Sequence, residues 1–358
     1  MNFPHSEKLP IHILAACFNK TVATYKFYWF LSILQELEKG KTLINKRSLF
    51  ARMLSNSWYT ANYFNLSYGK SDVLKNQISA ISEIENIPIH FEREKVFRLI
   101  NESNNKKTIR ILTHFDNQVP HWFLSPWFEG LIGTDSEKKK KIYELNADKK
   151  RMCLYFLKKE EIEINPEWVD YLLENTKFLK SFCYWNLTLF FQKHNPNIPD
   201  IANKIIKDAQ RPKLDKQRKD FWNLVFKEIP ENKIKCIYTN EMISIENYAV
   251  EHFVPHSFVA HDLIWNLIPA SPKFNSSKNN RLPRFESFFE DFFNTQISGL
   301  NIICQKHPRN KLLEDYLTIC SEMPTSESIL KPEFKIKFQE TIKPLITIAS
   351  NNGFQFLP

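Results

Sequence analysis

The sequence predicts an α+β protein: a mostly α-helical N-terminal domain, then a small module of two strands and a helix, then C-terminal helices. Three observations point there. Apolar residues recur at helical spacing through most of the first 225 positions. Between about 232 and 284 the pattern changes to short β-prone runs punctuated by Pro255, Pro269 and Pro272. Helical spacing returns over 286–296, 310–322 and 333–350, and Asn351-Asn352-Gly353-Phe354 reads as a stop.

Residues 16–37 place Tyr25, Trp29, Leu31, Ile33, Leu34 and Leu37 on a helix, with Thr21 or Thr24 as its cap and Lys39-Gly40 as its end. Further helical patterns cover about 46–56, 71–85, 92–103 and 137–144, with short extended pieces expected near 108–124. Asn165 caps a helix that carries Pro166 in its first turn. Helical patterning continues over 178–193 and 200–209, with a two-proline turn at 194–200. No repeat of fixed period is present. The expected domains are 1–228, 229–300 and 301–358. Tyr25, Lys26, Tyr28 and Trp29 offer an aromatic-basic surface for nucleic acid, but Tyr25 and Trp29, four apart, are better read as a core face. Arg52, Trp58 and Tyr59 are read the same way, and His114 and His121 as structural.

Composition narrows the function. The 358 residues include 30 Phe, 12 Tyr and 8 Trp, enough buried surface to exclude wholesale disorder. Only six glycines occur, and neither GxxxxGK[ST] nor GxGxxG is present, which argues against P-loop and dinucleotide chemistry. Six scattered cysteines without CxxC pairing argue against a disulfide framework and against a structural zinc. No apolar run is long enough to span a bilayer and no signal peptide is visible, so a cytoplasmic protein with no membrane partner is expected.

The net charge of +9 separates along the chain, since 231–291 carries −2. Lys204–Lys219 holds seven Lys/Arg against Asp208 and Asp215. As a candidate nucleic-acid grip it offers Lys213, Arg218 and Lys219. A solvated helix face is the competing reading.

The acidic stretch carries the chemistry. Tyr248-Ala249-Val250 reads as a strand that delivers Glu251 and His252, and Pro255 breaks it before a loop with His256 and His261. Leu263–Ile268 reads as a second strand stopped by Pro269, and Pro272 opens a helix with Asn275, Lys278 and Asn279. Phosphodiester hydrolysis needs a base for water, which an imidazole suits. It also needs charge stabilisation at the leaving oxygen, which suits a hard cation on oxygen ligands such as Glu251 and Asn275. Lys278 suits a phosphate as a point charge, and His256 lies close enough in sequence to contact nucleic acid.

This segment resembles the HNH (ββα-metal) endonucleases, and among them the HNH domain of RNA-guided CRISPR effector nucleases. The resemblance rests on a carboxylate-His pair followed by Pro255, an Asn fourteen residues after His252 (Asn266), and another nine further on (Asn275). Phe253–Phe258 and Asn275-Ser276-Ser277-Lys278 fit as well. It implies His252 as general base, Asn266 fixing the loop and the His ring, and Glu251 and Asn275 holding Mg2+, with Mn2+ as an alternative. Asp is usual where Glu251 stands, which implies adjusted metal geometry or lowered activity. Zinc-knuckle members pair cysteines around this core, whereas here Cys236 stands alone and is read as packing. More loosely, the layout from KTVATYKFYWFLSILQEL through ARMLSNSWY, VPHWFLSPWF and RPKL to a tail ending in GF is similar to stand-alone bacterial HNH proteins of restriction or anti-phage type. That likeness implies a DNA substrate and admits a defence-system partner protein. The alternatives are a toxin-type RNase using the same site, or an inert subunit that binds nucleic acid or a partner. The sequence does not decide the oligomeric state.

Overall fold

The structure, a computed structural model, describes residues 3–19, 21–206 and 213–358. Residues up to 196 with 201–206 form one compact unit, and 197–200 with 213–358 form a second.

In the first unit the order is α1 (Ile11–Ala16), α2 (Tyr25–Leu37), β1 (Leu43–Asn45), α3 (Lys46–Asn56), α4 (Trp58–Asn62), α5 (Leu74–Ile84), α6 (Arg93–Glu102), α7 (Lys106–His114), α8 (Pro120–Phe123), α9 (Asp135–Asn146), β2 (Tyr155–Leu157), β3 (Glu161–Ile164), α10 (Pro166–Glu174), α11 (Thr176–His194) and α12 (Ile201–Ile206). Helix α2 is the centre of this unit. It is apolar on nearly every side, and a helix of that kind has to be buried all round; Phe27 to Leu31 are all buried. Trp29 Nε1 donates to Tyr155 Oη (3.0 Å), whose hydroxyl donates to Pro120 O (2.6 Å), so its largest ring is also satisfied. Thr24 stands at the N-cap, but its side chain makes no cap bond to its own helix. Its amide and hydroxyl both donate to Asp72 Oδ2, at 2.7 and 2.6 Å. Gly40, at φ +79°, ends the helix by donating its N–H to Leu37 O.

The predicted helices at 46–56 and after Asn165 are found as α3 and α10, each with its Asn cap accepting from the backbone two residues on. The extended pieces expected near 108–124 are instead helical, because Asn105 caps α7 and Pro120 opens α8. Strand β3 lies between β1 and β2, antiparallel to both, with Ile44 opposite Ile162 and Tyr155 opposite Ile164. Arg52 is buried between Glu36 (3.0 Å) and Glu94 (2.5 Å), with Phe97 under its guanidinium, and so serves the core. Trp58 and Tyr59 are buried too. His121 is buried, and burial together with the Lys139 charge pushes its imidazole down to about 4, leaving it neutral.

The second unit opens with a helical run: α13 (Asp215–Gln217), a π turn over Arg218–Trp222, and α14 (Asn223–Glu228). A hairpin of β4 (Lys233–Lys235) and β5 (Met242–Ser244) follows. Then come β6 (Ala249–His252), α15 (His256–Val259), β7 (Leu267–Ala270), α16 (Pro272–Lys278), α17 (Phe285–Lys306), a 3-10 run over Lys311–Thr318, and α18 (Pro332–Asn351). The second strand thus begins later than expected. Ile264–Asn266 is a 3-10 turn, and Pro269 lies within β7, opposite Val250. In a two-stranded ribbon each strand keeps a free edge, where the N–H that proline lacks is not missed. Helix α17 packs Phe292 flat on Phe253 (3.9 Å between centroids). Gly299 lets the Trp222 ring approach α17: a Cβ there would stand 3.0 Å from the indole. The tail turns back at Gly353 (φ +91°) and brackets Leu282, which donates to Gln355 O and accepts from Leu357 N, both at 2.8 Å.

The basic stretch is divided between the units. Lys204 is buried in α12, Lys207 and Arg211 lie outside the described residues, and Lys213, Lys216 and Lys219 are exposed in the second unit. No helix among the described residues is long and apolar enough to cross a membrane.

Candidate active site

The β6–β7 ribbon sets Glu251 opposite Ile268 and His252 opposite Leu267, with α16 packed against β6. Asn266 extends the ribbon by side-chain bonds. Its backbone O accepts from Phe253 N (2.8 Å), its Oδ1 accepts from Val254 N (2.8 Å), and its Nδ2 donates to Val254 O (2.8 Å). The amide is fully buried and all its partners are backbone. It therefore clamps the turn after His252. It does not touch the imidazole, contrary to that part of the sequence reading.

The partner of the imidazole is Asp262. His252 Nε2 lies 2.9 Å from Asp262 Oδ1, and His256 Nε2 lies 4.0 Å from the same oxygen. Burial alone would raise the Asp262 carboxyl. The hydrogen bond from His252 and the charges of His252, His256 and His261 outweigh it and hold the group below the usual carboxylate range. An ionised carboxylate only accepts, so Nε2 carries a proton, and in the neutral form of the ring Nδ1 is the basic nitrogen. That nitrogen has no hydrogen-bond partner among the described residues.

Sequence reasoning passed over Asp262, whose only signal was a carboxylate in the loop ten residues after His252. It also passed over the residues that hold this loop. Gln217 Nε2 donates to Asp262 O (3.1 Å), Asp315 Oδ2 accepts from Ile264 N (2.7 Å), and Gln296 Nε2 donates to Ile264 O and Leu267 O (3.1 and 2.7 Å). Trp222 Nε1 also donates to Leu267 O, and Tyr316 Oη donates to Gln296 Oε1. The loop is thus fastened to α13, the π turn, α17 and the 3-10 run.

Lys278 is placed differently from its expected phosphate contact. Its side chain is buried, with Nζ donating to Glu251 Oε1 (2.6 Å) and His252 O (2.7 Å). Asn275, three residues earlier on α16, shares the side of the helix from which Lys278 reaches β6. Neither the Asn275 side chain nor Glu251 Oε2 makes a hydrogen bond among the described residues. The donor set fits a hard, largely hydrated cation: two protein oxygens with free lone pairs, the rest left to water and phosphate. Among the described residues, no group of three His, Cys, Asp or Glu side chains gathers as a denser metal cage.

The remaining candidates are His256, beside His252, and the basic residues. His256 opens α15, its ring centroid 5.3 Å from that of His252. Arg218 lies over the Tyr248 ring (4.5 Å), while Lys213 and Lys219 face solvent. Cys236 is buried, and its sulfur accepts from Ser271 N (3.4 Å), next to α16.

Residues 236–284 match the family model described as HNH endonuclease. The comparisons with curated proteins and with solved structures gave no match. This segment, 49 of the 358 residues, is therefore similar to the HNH endonucleases.

Asp262 carries the first prediction. Asparagine there can offer its NH2 to Nε2 and draw the ring proton to Nδ1, the wrong tautomer for a base. Asp262→Asn should lower the cleavage rate by about a hundredfold to ten-thousandfold, leave nucleic-acid binding in EDTA unchanged, and be partly rescued by Asp262→Glu. Because the Asp262 carboxyl is held low, its contribution to stability is complete at neutral pH and is lost as pH falls through its folded value. The gap in melting temperature between wild type and Asp262→Asn should therefore close on acidification. A gap independent of pH would count against the pairing.

Proposed function

We propose that the HNH module is a Mg2+-dependent endonuclease centre that hydrolyses DNA, with His252 as general base and Glu251 and Asn275 holding the ion. The observation that carries the reading is the His252–Asp262 hydrogen bond, which fixes the proton on Nε2 and leaves Nδ1 as the base. His252 takes a proton from water as the water oxygen bonds to phosphorus and the P–O3′ bond breaks. The products are a 5′-phosphate and a 3′-hydroxyl, the latter protonated from solvent. The bound cation supplies charge stabilisation at the leaving oxygen. Asn266 keeps the turn after His252 in place, and Asp262 keeps the ring oriented.

Supercoiled plasmid incubated with the purified protein should be nicked or linearised with Mg2+ or Mn2+ and left intact in EDTA. The longer reach of Glu251 relative to aspartate is tested by the ratio of the two metal rates. Structured RNA offered in competition separates the DNA reading from a toxin-type RNase: preferential loss of RNA would replace DNA as the substrate. DNA binding without turnover under either metal would favour an inert binding subunit. A role in restriction or anti-phage defence follows from the full-length resemblance. Cells with the intact protein should then yield fewer phage plaques than cells with His252→Ala, and equal counts would remove that role.

A further inference from the structure

The second unit contains a cleft of about 870 Å³ with cations on two walls. One wall carries Lys216, Lys219 and Lys227 on the helical run from α13 to α14. The other carries Lys306, Arg309 and Lys311 at the end of α17 and the start of the 3-10 run. All six are exposed, and Asp220 is the one acidic residue in the lining. Lys306 stands 4.0 Å from Glu228, whereas the other five form no ion pair among the described residues. Six cations against one lining carboxylate in a concave surface repel one another and attract an anion.

We propose that this cleft is the phosphate-backbone track for the nucleic-acid substrate beside the HNH site, a proposal that rests on the nuclease reading above. Two observations favour a strand over a compact phosphorylated ligand. First, Lys216, Lys219 and Lys227 line the cleft from twelve residues of one helical run, a row about 16 Å long at a helical rise. That length matches several consecutive phosphates, not one. Second, both walls are fastened to the loop that carries the base's partner. Gln217, next to Lys216, bonds Asp262 O, and Asp315, four residues past Lys311, bonds Ile264 N. Asn310 Nδ2 donates to Asp220 O (2.6 Å) and joins the walls. A backbone lying in the track therefore rests on the same elements that hold the Asp262 loop.

The test is binding of short duplex DNA by the full chain in EDTA, followed by fluorescence anisotropy over a range of salt. Lys216→Glu/Lys219→Glu/Lys311→Glu is compared with a control reversal of two exposed lysines of the first unit, Lys140→Glu/Lys141→Glu. The triple variant should bind at least tenfold more weakly at low salt. The slope of log affinity against log salt should shrink by about 0.9 per lost phosphate contact. The control should bind like wild type, and circular dichroism should show all three proteins folded. Equal affinity and slope in wild type and triple variant would overturn the track, as would an equal loss in the control. Wild-type protein that binds no nucleic acid would instead fell the nuclease reading beneath it, so the two failures are distinct.

Discussion

Replacing His252 by alanine is expected to lower metal-dependent cleavage by about a hundredfold to ten-thousandfold and to leave binding in EDTA unchanged. The imidazole Nε2 is hydrogen-bonded to the ionised Asp262 at 2.9 Å, which orients the ring and turns Nδ1 to water. His256 also approaches Asp262, but at 4.0 Å and from the first turn of a short helix rather than the end of β6. It should not substitute. The fold should survive, because the ribbon pairing of position 252 with Leu267 and the Asn266 clamp on Val254 are independent of the ring. The measurement is the single-turnover rate on plasmid beside a melting curve. A variant that cuts as fast as wild type would remove His252 from the reaction, and one that fails to fold would be replaced by His252→Gln before the rate is judged.

Where the sequence could be read, it was through local signals. Helix α3 is legible because its apolar spacing repeats within a dozen residues, and β6 because β-prone residues run into the Glu251-His252 pair. The strands β1, β2 and β3 are three or four residues long, too short for alternation to show. The start of β7 was misplaced since Ile264-Trp265-Asn266 has strand composition, yet Asp315, Gln296 and Gln217 pull its ends into a turn. Those partners lie 32 to 51 residues away. Periodicity can forecast that 310–322 is helical in character, but no local rule reveals that its Asp315 fastens a loop of the nuclease module. The candidate site was proposed from a set of residue types at fixed spacing. Its internal wiring, Asp262 on His252 and Lys278 on Glu251, depends on the assembled unit.

That second contact yields the other large expected effect. Lys278 and Glu251 form a buried ion pair, and removal of one partner strands the other charge away from water. Lys278→Met should destabilise the second unit by about 3–5 kcal/mol, a fall of roughly 6–20 °C in melting temperature for a unit of this size. It also leaves His252 O without the donor it has now. Glu251→Gln should destabilise as well, since the ammonium is then left facing a neutral amide. The double variant Glu251→Gln/Lys278→Met contains neither charge and should recover much of the loss, so that the two single effects sum to clearly more than the double. The pair also bears on the metal, because the ammonium holds Oε1 and leaves Oε2 as the oxygen turned to other partners. Lys278→Met should accordingly reduce cleavage even at temperatures where it stays folded, by releasing the carboxylate from a single orientation. Additive losses in the cycle would mean that the ammonium does not sit on Glu251 in solution. Lys278 would then be available for the phosphate contact that its position three residues after Asn275 implies.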